Sequence, residues 1–239
     1  MMKLFAGVLL ILSLFGQAGS ALAADEVVPV TMADGKAFNY VLTTSGEKPR
    51  YAVILMPGGA GALNPRMENG KLVMAASGNF LIRSRELFAA SPFVAASTDA
   101  TTTPDRIMAI VRDLERRYGK LAVYVIGTSR STESTMALAK PLDGQVAGFV
   151  HSSSMNAISS FDSRPFKSRH LIVIHNKDAC RVTKPSAGAA ASRSYGTELI
   201  TMEGGKATGD DCEAYSHHGY YGIEKETVDK IKAWIMAGK

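Results

Sequence analysis

Short apolar runs that alternate with helical patterns limit most strongly how this chain can fold. Such runs recur along the chain after residue 50. Runs this short and this uniformly apolar are typical of strands buried on both faces of a parallel sheet. The strands predicted from them cover residues 51–56, 93–96, 121–126, 146–150, 170–175 and 198–202.

Helical patterns occupy the stretches between these runs. The clearest one starts at Pro104, with Thr103 as its expected capping residue, and ends at Gly119. Proline suits the first helical position, and glycine suits the residue after the last turn. Further helical patterns cover residues 131–139 and 225–236. Strands and helices therefore alternate almost to the end of the chain.

Two earlier runs, residues 27–31 and 38–42, flank an Ala-Asp-Gly turn and predict a hairpin ahead of this alternation. A hairpin followed by alternating strands and helices is typical of an α/β fold with a doubly wound, mostly parallel sheet. The segment between residues 150 and 170 is short, so no inserted cap domain is expected. Residues 24–239 are predicted to form one domain.

The first 23 residues have the pattern of a signal peptide. Lys3 supplies a positive start, residues 4–15 are mostly apolar, and residues 21–23 read Ala-Leu-Ala, which fits the signal-peptidase pattern. The apolar run falls short of the roughly 20 residues of a membrane span, and an uncleaved anchor is the alternative. We expect cleavage after Ala23, a periplasmic or secreted protein, and no membrane attachment after cleavage.

Charge and cysteine content limit the class of partner and the compartment. The formal net charge is +5, and no block of five like charges or RNA- or DNA-binding motif accompanies it, so no nucleic acid partner is expected. Cys180 and Cys212 suit an exported protein with one disulfide, with two buried thiols as the alternative. Neither cysteine has a second Cys or His at zinc-ligand spacing, so no metal is predicted.

Residues 127–131, Gly-Thr-Ser-Arg-Ser, are the central candidate for chemistry. They come directly after an apolar run and directly before a helical pattern. A turn this tight between strand and helix holds Ser129 in a strained conformation and projects its hydroxyl above the helix N-terminus. Taken alone, an ordinary polar turn that caps a helix explains these residues equally well.

The same five residues resemble the nucleophile elbow G-x-S-x-G of the α/β-hydrolase family, with Ser129 as the nucleophile. They depart from that pattern at the last position, where Ser131 stands in place of glycine. The resemblance spans roughly residues 51–234 and is closest to small, cap-less bacterial proteins similar to dienelactone hydrolases and carboxylesterases. It implies an α/β-hydrolase fold without a cap domain.

A glycine-rich segment, residues 57–61, follows an apolar run at the place where this family has its oxyanion loop. Acyl transfer needs two donors aimed at the developing negative charge, and fixed backbone N–H groups serve well. The resemblance implies one donor from Gly59 or Ala60 and a second from Arg130, directly after the nucleophile. A phosphate-binding loop is the rival, but the segment has the spacing of neither glycine-rich phosphate motif.

The family's chain order, nucleophile then acid then base, indicates the other two catalytic residues. Asp178 follows an apolar run, and His218 precedes a glycine and the last helical pattern. The resemblance implies that His218 is the base and that Asp178 orients its ring, with His217 as the alternative base. A disulfide between Cys180 and Cys212 would join the acid loop to the base loop.

Together these residues imply an exported serine hydrolase that cleaves a carboxylic ester or related acyl bond through an acyl-enzyme. The expected partner is a small-molecule acyl or ester substrate, and no cofactor is needed. Thioesterase, acyltransferase and peptidase activities fit the same residues. An exported, non-catalytic ligand-binding protein that keeps the fold is the rival from another class, and Ser131 is the feature that favours it.

Other polar residues lie near the expected site in the sequence. Arg83 and Arg85 are candidates to line a pocket for an acidic substrate, although a solvated or salt-bridged helix face is the favoured interpretation. His151 and His175 end strands and are expected to be structural. Asp99 either binds substrate or caps a turn.

Overall fold

The computed structural model describes residues 23–46 and 48–238. Most of the predicted leader, residues 1–22, lies outside the described residues. The strands are β1 Ala24–Thr31, β2 Ala37–Thr44, β3 Tyr51–Met56, β4 Arg66–Glu68, β5 Lys71–Val73, β6 Phe93–Ser97, β7 Ala122–Thr128, β8 Gly148–Ser152, β9 Arg169–His175 and β10 Glu198–Met202. The α-helices are α1 Phe80–Arg83, α2 Arg85–Ala89, α3 Pro104–Tyr118, α4 Ser131–Ala139, α5 Pro185–Tyr195 and α6 Glu224–Ala237.

Eight of these strands form one sheet, in the order β1-β2-β6-β3-β7-β8-β9-β10. Strands β1 and β2 form the predicted hairpin, and β2 also pairs antiparallel with β6. All pairs from β6 to β10 are parallel. The carboxyl ends of the central strands therefore lie on one edge, where folds of this class bind their ligands.

The central strands are buried on both faces because helices cover both sides of the sheet. In β3, Ile54 packs in the apolar cluster that contains Ile110 of α3, whereas Leu55 packs in the cluster that contains Ile231 of α6. Helices α3 and α4 cover the first face, and α1, α2 and α6 cover the second. The predicted doubly wound α/β fold is confirmed.

The predicted strands and helices agree with the observed ones except at their ends, although several short or weakly marked elements, including α1 and α2, are not predicted. Thr103 occupies the N-cap position of α3, but its side chain makes no capping hydrogen bond. Helix α5 and the small hairpin of β4 and β5 escape sequence-based prediction, because α5 is rich in alanine and serine and the hairpin strands have three residues each.

The connection from β8 to β9 is short, as expected for a fold without a cap. Its only helical element among the described residues is a 3-10 turn at Asn156–Ser160. Strands β4 and β5 form a separate two-stranded hairpin between β3 and α1. Within the part of the chain that the structure describes, no helix has both the length and the apolar character to cross a membrane.

Two histidines of the sheet, His151 on β8 and His170 on β9, are buried against each other. His151 Nδ1 lies 2.7 Å from the hydroxyl of Thr135 on α4, and its Nε2 lies 3.1 Å from His170 Nδ1. The rings of Phe161 and Phe166 pack against His170. Burial lowers the pKa of His151 and lowers the pKa of His170 to about 4. Both rings are therefore neutral at pH 7 and have a structural role.

We expect the free energy of unfolding to fall as the pH drops from about 6.5 to 4. His170 binds a proton in the unfolded chain below its ordinary pKa of 6.5, but in the folded chain only near pH 4, so acid favours the unfolded state over this window. The loss due to His170 is about 3 kcal/mol at pH 4. Urea unfolding of wild type and His170→Phe tests this. The unfolding free energy of the variant should fall less between about pH 6.5 and 4 than that of wild type. The same dependence of unfolding free energy on pH in both proteins would contradict the account.

Candidate active site

Loops from several central strands meet at the carboxyl edge of the sheet. Strand β3 leads into residues 57–61, β7 leads into Ser129, and β9 leads into the turn that holds Asp178. The segment after β10 carries His218 in a short 3-10 helix, His217–Gly219. Residues that are far apart in the sequence thus converge on one edge.

Ser129 lies in the turn between β7 and α4 with a φ of 54°, in the left-handed region. A residue other than glycine is strained there, and such strain is concentrated at functional sites. Gly127 lets α4 approach β7 closely, since a Cβ at that position would lie 2.6 Å from the Ser131 carbonyl oxygen. The turn has the geometry of a strand-to-helix elbow that exposes its central residue.

Ser131, at the position where the family has glycine, is buried and fixes this turn through its hydroxyl. Its Oγ accepts a hydrogen bond from the Thr128 N–H at 2.7 Å and lies 2.8 Å from the Met56 carbonyl oxygen, to which it can donate. The side chain therefore connects the end of β7 to the end of β3. The departure from the family pattern adds a contact and leaves Ser129 in the elbow conformation.

The glycine-rich loop packs directly against the elbow. A Cβ on Gly58 would lie 2.9 Å from the Ser129 Cβ, so glycine is required at this close approach. The N–H groups of Gly59, Ala60 and Arg130 donate to no backbone acceptor among the described residues. These three donors are therefore available near Ser129, where an oxyanion hole would need them.

Asp99 anchors the far end of the glycine-rich loop. Its Oδ1 accepts hydrogen bonds from the N–H groups of Leu63 at 2.6 Å and Asn64 at 3.1 Å. Its Oδ2 forms an ion pair with Arg106 at 2.6 Å. Of the two roles considered for Asp99, the geometry favours the capping one.

His218 and Asp178 are buried together below this edge. His218 Nδ1 lies 3.0 Å from Asp178 Oδ2, and the other carboxylate oxygen accepts the Cys180 N–H at 2.9 Å. The Thr183 hydroxyl donates to Asp178 Oδ2 at 3.1 Å and lies 3.0 Å from His218 Nδ1. Sequence reasoning misses Thr183, because no sequence pattern shows that the turn after the acid doubles back. The carboxylate is held on both oxygens, which leaves Nε2 as the free ring nitrogen.

The backbone of His218 is also held in place. Its carbonyl oxygen accepts a hydrogen bond from Ser153 Oγ at 2.6 Å, and its N–H donates to Ser216 Oγ at 3.1 Å. His217 instead stacks on His175, with ring centroids 4.7 Å apart. Of the two neighbouring histidines, His218 is the one that pairs with Asp178.

Cys180 and Cys212 form the predicted disulfide, with their Cα atoms 4.7 Å apart. Cys180 is buried in the turn after Asp178, whereas Cys212 lines the cavity ahead of His218. The bond therefore joins the loop of Asp178 to the loop of His218. Asp178, Cys180 and His218 are close enough to resemble a metal site, but a disulfide sulfur is not a thiolate ligand.

Ser129 and His218 line the same cavity, of about 510 Å³. The Ser129 hydroxyl makes no hydrogen bond to His218 in the described part of the chain, so the contact expected between nucleophile and base is not formed. Small residues make up most of the wall. Besides His218, its larger side chains are those of Asn79, Phe80, Glu213 and Tyr215.

Arg83 and Arg85 are not among the residues that line this cavity. Arg83 pairs with Glu224 at 2.9 Å and donates to the carbonyl oxygens of Gly78 at 2.7 Å and Gly219 at 2.6 Å. Arg85 pairs with an acidic residue of β1 at 2.6 Å. The salt-bridged interpretation of both arginines holds, and Arg83 connects the cavity wall to the base loop.

Comparisons with known proteins bear on the fold. A scan against models of protein families finds no match, and a search of curated proteins finds no similar sequence. Among solved structures, Est1E from Butyrivibrio proteoclasticus matches with a TM-score of 0.62 at 14% identity, over 89% of this chain and 98% of that one. The esterase domain of a Rhodothermus marinus protein matches with a TM-score of 0.60 at 11% identity, over 88% of this chain and 97% of that one.

A third similar structure is an α/β serine hydrolase without a lid from Xanthomonas campestris. Its TM-score is 0.56 at 9% identity, over 87% of this chain and 94% of that one. The described part of this chain therefore has the α/β-hydrolase fold, with no cap domain inserted in it, as the resemblance implied. Identities this low show the fold, and the chemistry must be argued from the site.

Proposed function

We propose that this protein is an exported serine hydrolase that cleaves a carboxylic ester or related acyl bond, with Ser129 as nucleophile, His218 as base and Asp178 as acid. One observation carries the proposal. The strained Ser129 shares a cavity with His218, and His218 Nδ1 is hydrogen-bonded to the buried carboxylate of Asp178. Solved structures of similar fold include an esterase domain and a serine hydrolase, which supports the same reaction class.

The reaction proceeds through an acyl-enzyme. Ser129 Oγ attacks the carbonyl carbon while His218 Nε2 takes the hydroxyl proton. The bond to the leaving alcohol then breaks as Nε2 gives that proton to the alcohol oxygen. Asp178 accepts a hydrogen bond from Nδ1 throughout, which orients the ring and stabilises the imidazolium. Water then attacks the acyl-enzyme by the same two steps, which releases the carboxylic acid product and regenerates Ser129.

The tetrahedral intermediate needs donors for its oxyanion. The N–H groups of Arg130 and of Gly59 or Ala60 supply them, because they lie on loops that adjoin Ser129 and have no backbone partner among the described residues. Loss of one such donor typically costs about 100- to 1000-fold in kcat. Asp99 supports these donors indirectly by fixing the loop beyond them.

A ligand-binding protein that keeps the fold has one observation in its favour, the missing hydrogen bond between Ser129 and His218. Catalytic hydrogen bonds are often long in the free enzyme and shorten only with substrate. Ser131, which first favoured this rival, maintains the elbow through its contacts with Thr128 and Met56. The hydrolase is therefore the better-supported function.

Mass spectrometry of protein quenched during turnover of 4-nitrophenyl acetate tests the proposal. The expected result is steady release of nitrophenol and one acetyl group on the peptide that contains Ser129. Folded protein that releases no nitrophenol above the rate in buffer would favour the binding protein. Turnover that persists undiminished in Ser129→Ala would contradict an acyl-enzyme on Ser129.

Export is part of the same proposal. Strand β1 begins at Ala24, directly after the proposed cleavage position, and a disulfide suits an oxidising compartment. N-terminal sequencing of the protein recovered from periplasm or medium should read Ala24 as its first residue. Protein found only in the cytoplasm, with Met1 retained, would contradict export.

Thr183 is expected to act as a positioning residue for the acid and base. Thr183→Val keeps the shape of the side chain but removes the hydroxyl that contacts Asp178 and His218, so kcat should fall about tenfold with KM little changed. Thr183→Ser retains the hydroxyl and should recover most of the activity. Equal kcat values for wild type and Thr183→Val would show that the hydroxyl has no role in the reaction.

A further inference from the structure

We infer that Glu213 makes this site select esters whose cavity-bound part is neutral or cationic, and disfavour anionic ones. The inference rests on the proposed hydrolase function and concerns the substrate class of that same site. A cavity lined by Arg83 and Arg85 would instead have favoured anionic esters.

Glu213 lines the cavity on a fixed stretch of backbone. Its N–H donates to the Asp210 carbonyl oxygen at 3.0 Å, and its own carbonyl oxygen accepts the Ser216 hydroxyl at 2.9 Å. The preceding residue, Cys212, is tied to the acid loop by the disulfide. The residue itself is exposed. The backbone that carries this carboxylate is therefore fixed at the cavity wall, and the exposed side chain leaves its charge available to a ligand.

The cationic side chains nearby do not offset this charge. Among the described residues that line the cavity there is no lysine or arginine. Arg83 stacks on Tyr215, with its guanidinium 5.3 Å from the ring centroid, but its charge is matched by Glu224. The buried Asp178 adds a second negative charge behind His218. An anionic substrate group would meet repulsion without a compensating partner.

Arg130, whose backbone N–H is a proposed oxyanion donor, is not among the residues that line the main cavity. It lines a neighbouring groove of about 230 Å³ that shares residues 59–61 with the main cavity. Glu133 lines the same groove, so the two charges there are of opposite sign. The charge preference of the main cavity is therefore set by Glu213.

The expected size of the effect follows from the exposure of the carboxylate. Charges a few ångströms apart near a surface interact weakly, so kcat/KM for an anionic ester is expected to be about fivefold to tenfold below that for a neutral one. Added salt screens such charges, so the preference should shrink as ionic strength rises.

The test uses two series of activated esters and the mature chain. In one series the acyl chain of a 4-nitrophenyl ester is neutral, carboxylate-bearing or ammonium-bearing. In the other, acetate esters carry a neutral, carboxylate-bearing or quaternary-ammonium phenol, because either side of the ester can occupy the cavity. Glu213→Gln and Glu213→Lys are compared with Glu115→Gln, which removes the same charge from the exposed face of α3.

In at least one series, the wild type should hydrolyse the anionic ester about fivefold to tenfold less efficiently than the neutral one. Glu213→Gln should remove this difference, Glu213→Lys should invert it, and Glu115→Gln should keep it. If Glu213→Gln behaves like Glu115→Gln while neutral esters are hydrolysed, the inference is wrong and the hydrolase proposal stands. Absence of all ester hydrolysis in folded wild type would overturn both.

Discussion

Ser129→Ala and His218→Ala should each lower kcat for a small activated ester by about 10⁴- to 10⁶-fold, and the double variant should be little worse than either. The losses are non-additive because a nucleophile and its base act as one unit, so removal of either disables both. Asp178→Asn should cost less than Ser129→Ala, because it disturbs the orientation and tautomer of His218 but leaves the nucleophile in place.

Two control variants make this result specific. Ser194→Ala, on the exposed side of α5, removes a serine hydroxyl away from the site and should keep wild-type kcat. His217→Ala removes the neighbouring ring, which stacks on His175 and not on the acid, and should keep most of the activity. Loss of activity in His217→Ala with retention in His218→Ala would reverse the assignment of the base. If the loss of kcat in the double variant equals the product of the two single losses, Ser129 and His218 do not act as a single catalytic unit.

The second large effect concerns the disulfide. The double variant Cys180→Ala/Cys212→Ala should lose about 3 to 4 kcal/mol of unfolding free energy, because the bond closes a loop with a sequence separation of 32 residues. Urea unfolding at pH 7 measures the difference, and wild type unfolded in the presence of a strong reductant should approach the variant. A difference below about 1 kcal/mol would show that the bond contributes little beyond the packing around it.

The fold is well predicted from sequence because its main signal is local. Apolar runs such as residues 51–56 and 121–126 show from their length and uniformity that both faces of the strand are covered. The helix that begins at Pro104 and ends before Gly119 is marked at both ends by its own residues. Helix α5 consists mostly of alanine, serine and glycine, so no large apolar side chains mark its buried face in the sequence.

The sequence indicates candidate site residues only where strand ends and chain order carry the information. Ser129 and Asp178 are indicated by the ends of strands, and His218 by the family's order of residues. Thr183 is not indicated, because its role depends on a turn that returns to Asp178. Arg83 pairs with Glu224, which lies 141 residues away in the sequence. Because of this separation, the sequence alone fits both a pocket-lining and a salt-bridged role for Arg83.

Fluorophosphonate labelling tests the central claim most directly, because it asks whether Ser129 is activated without requiring the true substrate. The folded chain should be labelled once, on the peptide that contains Ser129, and the reaction should disappear in Ser129→Ala and after heat denaturation. Ser194→Ala should be labelled like wild type. A folded wild type that stays unlabelled, or that carries the label on another residue, would contradict the assignment of Ser129 as the nucleophile.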